Sequence, residues 1–182
     1  ASLADSGQHQ KAVGVFERAA ESCKAACDDN LRSTINFNLG SSLNELKRTS
    51  EALRLGRESI ESFRKAGNKV GLANALNLSG FALGESGDHA AAIELQSEAA
   101  SLFREIADKD GLIKVLYNLG VNYAWLNQHQ KSLESYSELL GIVRTVGLQS
   151  REGEVLFQIG LQYDALGNKP LALKHYKEAL VL

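Results

Sequence analysis

Hydrophobic residues return along this chain at i, i+3, i+4 and i+7 in stretch after stretch, as in Leu116, Leu119, Gly120 and Tyr123. That spacing places them on one face of an α-helix; a half-buried strand would instead alternate at every second residue. Polar or glycine-bearing breaks separate the stretches. One set is Ser86-Gly87-Asp88, Asn127-Gln128 and Gly167-Asn168-Lys169-Pro170; the other is Asp28-Asp29-Asn30, Gly67-Asn68, Asp108-Lys109-Asp110 and Gly147-Leu148. Asp88 and Asn168 suit helix N-caps and Pro170 suits a first helical turn. The pattern predicts short-linked helices throughout.

The helices repeat. Gly40, Gly80, Gly120 and Gly160 recur at a period of 40 residues, inside NFNLG, LNLSG, YNLGVNY and FQIGLQY, with Leu43, Leu83, Tyr123 and Tyr163 three positions later and Leu3 in the same phase at the start. Twelve positions after each glycine stands a small residue, Ala52, Ala92, Ser132 or Ala172, with Ala12 in phase. Four further on come Phe16, Gly56, Gln96, Tyr136 and Tyr176. A glycine inside a helix costs about 1 kcal/mol relative to alanine, so a repeated one needs a reason. Close helix packing supplies it, with the small residue as the expected opposite wall. The phase predicts a single array, with a partial repeat over 1–29 and repeats at about 30–68, 69–108, 109–148 and 149–182. Asn36 replaces a leucine of the other repeats, and Ser79, Gly56 and Gln96 replace large apolar residues, which predicts a looser middle.

These motifs resemble the tetratricopeptide repeat, best in Leu116, Leu119, Gly120, Tyr123, Ser132, Tyr136 and Leu139 and in Leu156, Ile159, Gly160, Tyr163, Ala172, Tyr176 and Ala179. The resemblance implies an all-α fold, an α-solenoid of antiparallel helix pairs in a right-handed superhelix. The 40-residue period with NLG in the first helix looks like the long-repeat subclass that includes the Pins-type adaptors. It also implies that first helices line a concave groove and that the function is binding a peptide segment of a partner protein. The groove phase holds Thr34, Phe37, Asn38 and Ser41, then Asn74, Asn77, Leu78 and Phe81, then Lys114, Tyr117, Asn118 and Val121, then Glu154, Phe157, Gln158 and Leu161. Carboxamides both donate to and accept from a peptide backbone, and aromatic rings supply buried area. Trp125, on the face of Lys114, Tyr117 and Val121, is either a ligand anchor or an edge packing residue; Phe37, Tyr117 and Phe157 are either groove or core. Only Lys114 among the clamp positions is basic, which argues against a chaperone carboxylate clamp. The Pins-type groove carries a second asparagine where this chain has Ser41, Phe81, Val121 and Leu161.

Composition narrows the function. With 22 acidic and 20 basic residues the net charge is -2, which gives no general attraction for nucleic acid or anionic lipid. No run reaches the ~18 apolar residues of a membrane span, and no signal-peptide core opens the chain. Cys23 and Cys27, four apart on a predicted helix, read as free thiols in a reducing compartment, so a cytoplasmic protein is expected. No methionine occurs, even at position 1, and the start falls mid-repeat, so the chain is expected to be part of a longer protein. Walker, zinc-protease and nucleophile-elbow motifs are absent, and His9, His89 and His129 lie a repeat apart, so neither catalysis, cofactor nor metal is expected. The Asn77-Leu78-Ser79 sequon falls within a predicted helix. Lys24, Arg64, Arg104 and Arg144 share one phase near the ends of second helices, where they either complement the helix dipole or form a basic stripe for an acidic partner. A spacer or a module that self-associates through the array ends or outer face is the alternative to peptide capture.

Overall fold

A computed structural model describes residues 3–23 and 27–182. All its regular elements among these residues are helices: α1 (Leu3–Cys23), α2 (Asp29–Glu45), α3 (Thr49–Lys65), α4 (Lys69–Glu85), α5 (His89–Glu105), α6 (Lys109–Trp125), α7 (His129–Val146), α8 (Gln149–Ala165) and α9 (Lys169–Leu180). Lys24 and the side chain of Leu3 lie outside the described residues. The fold is all-α, a solenoid-type stack of helix hairpins.

The turns explain the regular spacing. Left-handed backbone recurs at Lys47, Gly67, Gly87, Ala107, Asn127, Gly147 and Gly167, one residue in twenty, closing each helix before the next begins. Most of the following helices start on a side-chain cap. Asp28, Asn68, Asp88, Asp108 and Asn168 accept from the backbone N–H three residues on, at 2.7, 2.8, 3.2, 2.9 and 3.3 Å. Pro170 occupies the first turn of α9.

The chain forms two compact units, residues 1–102 and 103–182. In the first, α2 packs against α1 and α3, and α4 against α3. Val13 from α1, Leu39 and Leu43 from α2, and Ala52 and Leu55 from α3 make a continuous core with Phe16 and Leu46 at its margin. In the second, α7 packs against α6 and α8, and α9 against α8; Leu116, Leu119, Tyr136, Leu139, Val143, Val155, Leu156 and Ile159 are buried.

The repeat glycines sit at close helix contacts, where the expected small residue faces Gly40 and Gly80 through the Ala52 and Ala92 carbonyls, 3.4 and 3.1 Å from where a β-carbon would lie, while Gly120 and Gly160 meet a ring instead. A β-carbon on Gly120 would lie 2.5 Å from Tyr136 Cε1, one on Gly160 would strike the Tyr176 ring, and one on Gly80 would lie 2.6 Å from Gln96 Cγ. The side chain sixteen residues on therefore lies across each of these glycines. Gly40 differs: with Gly56 at that phase, its neighbours are the Ala52 carbonyl and Leu55 Cβ at 3.4 and 3.6 Å. The small residue has another role in the third full repeat, where Ser132 Oγ donates to the Gly120 carbonyl at 2.8 Å.

In the middle repeats the small and polar residues at the apolar phases, Gly56, Ser79 and Gln96, are themselves buried. Gln96 is wholly buried, and Ser79 Oγ occupies the notch beside Gly56. Asn36 is half-buried and its Nδ2 donates to Glu58 Oε2 at 3.4 Å. Cys23 and Cys27 form a disulfide rather than standing as free thiols. Cys27 itself lies outside any helix, and its Cα is 4.9 Å from that of Cys23, within disulfide range. The thiols thus give no argument for a reducing compartment. Among the described residues no helix is long and apolar enough to cross a membrane.

Candidate functional site

In the first unit the predicted groove residues lie on α2 and α4. Phe37, Asn38, Ser41, Asn74 and Asn77 are half-buried, whereas Thr34 and Phe81 are exposed. Thr34 Oγ1 donates to the Asn30 carbonyl at 2.9 Å and Asn74 Nδ2 to the Val70 carbonyl at 3.0 Å, so both polar groups turn back onto their own helix. At the end of α4, Glu85 pairs with Lys47 at 2.6 Å. The Lys47 pKa is raised chiefly by the hydrogen bond to Glu85, with its charge adding.

The second unit gathers more of the predicted residues. On α6, Lys114 is exposed while Tyr117 and Asn118 are half-buried. Tyr117 meets Tyr136 edge-on, with centroids 5.9 Å apart, and the Arg151 guanidinium lies 6.0 Å from its centroid, beside the Arg151–Glu154 pair at 2.9 Å. Phe157 on α8 is 49% exposed and leans on Tyr176 at 5.5 Å. These rings therefore both pack and present surface.

Beyond them opens a cleft of about 400 Å³ lined by Val121, Ala124, Trp125, Asn127, Tyr136, Gln158, Leu161 and Gln162. No lining side chain is charged. Trp125 is 69% exposed on the rim, Gln158 is half-buried, and Tyr136 and Gln162 are buried. Gln162 Oε1 lies 3.0 Å from His129 Nδ1; an amide oxygen only accepts, so the imidazole donates. Burial pushes the Tyr136 phenol well above the usual tyrosine range, with Tyr117 adding to the shift, so it remains a protonated donor.

Sequence reasoning named Trp125 and Gln158 and placed Val121 and Leu161 in phase, but did not assign Tyr136, Gln162, Asn127 or Ala124 to a site. A signal existed for Gln162. The position two after each repeat glycine is buried in every full repeat, yet holds Ser42, Ala82, Asn122 and Gln162. Polar residues at a buried phase must find partners.

The shared phase of Arg64, Arg104 and Arg144 is not a free basic stripe. They lie in the last turns of α3, α5 and α7 and each holds a carboxylate: Arg64–Glu98 at 2.6 Å, Arg104–Glu138 at 2.7 and 2.9 Å, and Arg144–Glu152 at 2.7 Å. The Arg104 pKa is raised first by its hydrogen bond to Glu138. Among the described residues, no three histidine, cysteine, aspartate or glutamate side chains converge as metal ligands would.

A family model described as tetratricopeptide repeat matches residues 1–65 and 71–145. No curated protein sequence matches the chain. Among solved structures it is similar to BtubC (BKLC) from P. vanneervenii, at TM-score 0.87 and 17% identity over 95% of this chain and 72% of that one. It is also similar to the apo form of RapI, at TM-score 0.86 and 16% identity over 94% of this chain and 62% of RapI. A Rap protein complexed with competence and sporulation factor matches at TM-score 0.76 and 14% identity, over 96% of this chain and 49% of that one. At these identities the likeness describes the fold alone.

Proposed function

Since the chain belongs to the tetratricopeptide repeat family, we propose that it is a non-catalytic interaction module whose first-helix faces bind a peptide segment of a partner protein. The carrying observation is the second unit's cleft, where an exposed tryptophan stands beside carboxamides and no charged side chain. Large exposed aromatics at a polar-rimmed concavity are typical binding anchors. Carboxamides recognise peptide backbone without demanding a charge. The Rap complex with competence and sporulation factor supports a binding role for this fold. The 40-residue spacing supports the long-repeat subclass. The outer face offers less, because Arg64, Arg104 and Arg144 are already paired.

Partner affinity and melting temperature should be measured for Trp125→Ala, Asn118→Ala and the outer-face Arg104→Ala. Binding should fall at least tenfold for Trp125→Ala and less for Asn118→Ala, with melting temperature changed little in Trp125→Ala. Loss of binding in Arg104→Ala alone would transfer the site to the outer face. Association of the chain with itself, unaffected by Trp125→Ala, would favour a self-association module.

A further inference from the structure

The cleft contains a polar group that the fold itself does not use. Tyr136 is 0% exposed, its ring lies across Gly120, and its hydroxyl has no hydrogen-bond acceptor among the described residues. A buried polar group left unpaired is destabilising, and phenylalanine would fill nearly the same volume without that cost. A hydroxyl kept at such a position calls for an explanation outside the packing.

Its surroundings indicate what would complete it. Gln162, also buried, accepts the His129 N–H on Oε1, so that oxygen is already engaged within the fold. On the buried side of the cleft the Tyr136 hydroxyl is the donor left to be matched. Val121, Ala124, Trp125 and Leu161 supply apolar walls, and the carboxamides of Asn127 and Gln158 supply acceptors. A carboxylate could accept from Tyr136, but no cation lines the cleft to offset its desolvation. An ammonium would set donor against donor. A primary carboxamide on a short apolar stem meets these demands: methylenes against the walls, a carbonyl for the buried hydroxyl and an N–H₂ for the rim acceptors.

We propose that this cleft is a specificity pocket for a glutamine side chain of a partner peptide, whose carbonyl oxygen accepts the Tyr136 hydroxyl. This rests on the peptide-binding reading above. The hydroxyl is closed to solvent in the free protein, so seating the side chain requires the cleft wall around Tyr136 to shift.

The test uses the full chain and its Tyr136→Phe and Trp125→Ala variants, each immobilised against a displayed library of random peptides. Peptides enriched on the unaltered chain should carry glutamine at one fixed position, and those enriched on Tyr136→Phe should carry leucine or methionine there. By calorimetry, a selected glutamine peptide should lose about tenfold in affinity on Tyr136→Phe, the effect of one buried hydrogen bond. Its glutamine-to-leucine analogue should bind the variant at least as well as the unaltered chain. Tyr136→Phe should melt no lower than the unaltered chain, so the loss cannot come from unfolding. Equal affinity of the glutamine peptide for both forms, or a glutamate or lysine at the fixed position, overturns the pocket. Peptides that bind without regard to either substitution overturn the pocket while leaving peptide binding intact. No enrichment on any form overturns both.

Discussion

At the scale of single residues, most side chains obey local rules and a few are held against them. The turn after α5 closes on Ala107 at φ 56°, in the left-handed region that favours glycine; of the equivalent turns four use Gly67, Gly87, Gly147 and Gly167, and two use Lys47 and Asn127. The β-carbon costs roughly 1–2 kcal/mol there, and the extra freedom of glycine in the unfolded chain returns about 0.4–1 kcal/mol of that. Ala107→Gly should therefore stabilise the protein by a net ~0.5–1 kcal/mol in chemical denaturation. A destabilised variant would mean that the Ala107 methyl, although exposed, contributes packing that outweighs the strain. Tyr136 is the opposite case, since its unpaired hydroxyl is an unfavourable choice for stability that the proposed pocket would put to use.

Between elements, glycines of the same type do opposite work. Gly120 on α6 accommodates the Tyr136 ring, whereas Gly141 on α7 has no neighbour within 4 Å of where a β-carbon would lie. Gly120→Ala forces the ring or the helix to move and should cost about 1–3 kcal/mol. Gly141→Ala should gain up to about 1 kcal/mol through helix propensity alone. Urea denaturation of the two variants should shift the midpoint in opposite directions; shifts of the same sign would contradict the packing described for α6 and α7. The helices are also joined by ion pairs whose acidic members share the repeat period. Glu58, Glu98, Glu138 and Glu178 recur at the same 40-residue period as the arginines, and Arg64–Glu98 and Arg104–Glu138 both join residues 34 apart. These pairs are exposed, so each contributes at most about 1 kcal/mol.

For the molecule as a whole, electrostatics separates the two candidate binding surfaces. The net charge is -2 and the cleft is lined only by uncharged side chains, so peptide binding there should be nearly independent of salt. Binding through the arginine-bearing outer face would weaken steeply as salt shortens the screening length from about 10 Å at 0.1 M toward 3 Å at 1 M. Affinity measured across that range should change by less than about threefold, consistent with an interaction that has little Coulombic content. A fall of tenfold or more would assign the site to charged residues.

Apolar periodicity, turn residues and the recurrence of Gly40, Gly80, Gly120 and Gly160 determined the helices, their order and the family, because these depend on local backbone preference and on one buried face per helix. The same phase placed Trp125 and Gln158 on helix faces that meet in the cleft. Tertiary structure decided the rest. That Tyr136 rather than Ser132 fills the notch at Gly120, that Cys23 joins Cys27, and that each arginine has its own carboxylate all depend on which side chain arrives from another helix or from beyond a helix end. The unpaired Tyr136 hydroxyl was least legible of all, because the repeat pattern specifies a large ring at that phase and carries no information about whether an acceptor stands within reach of it.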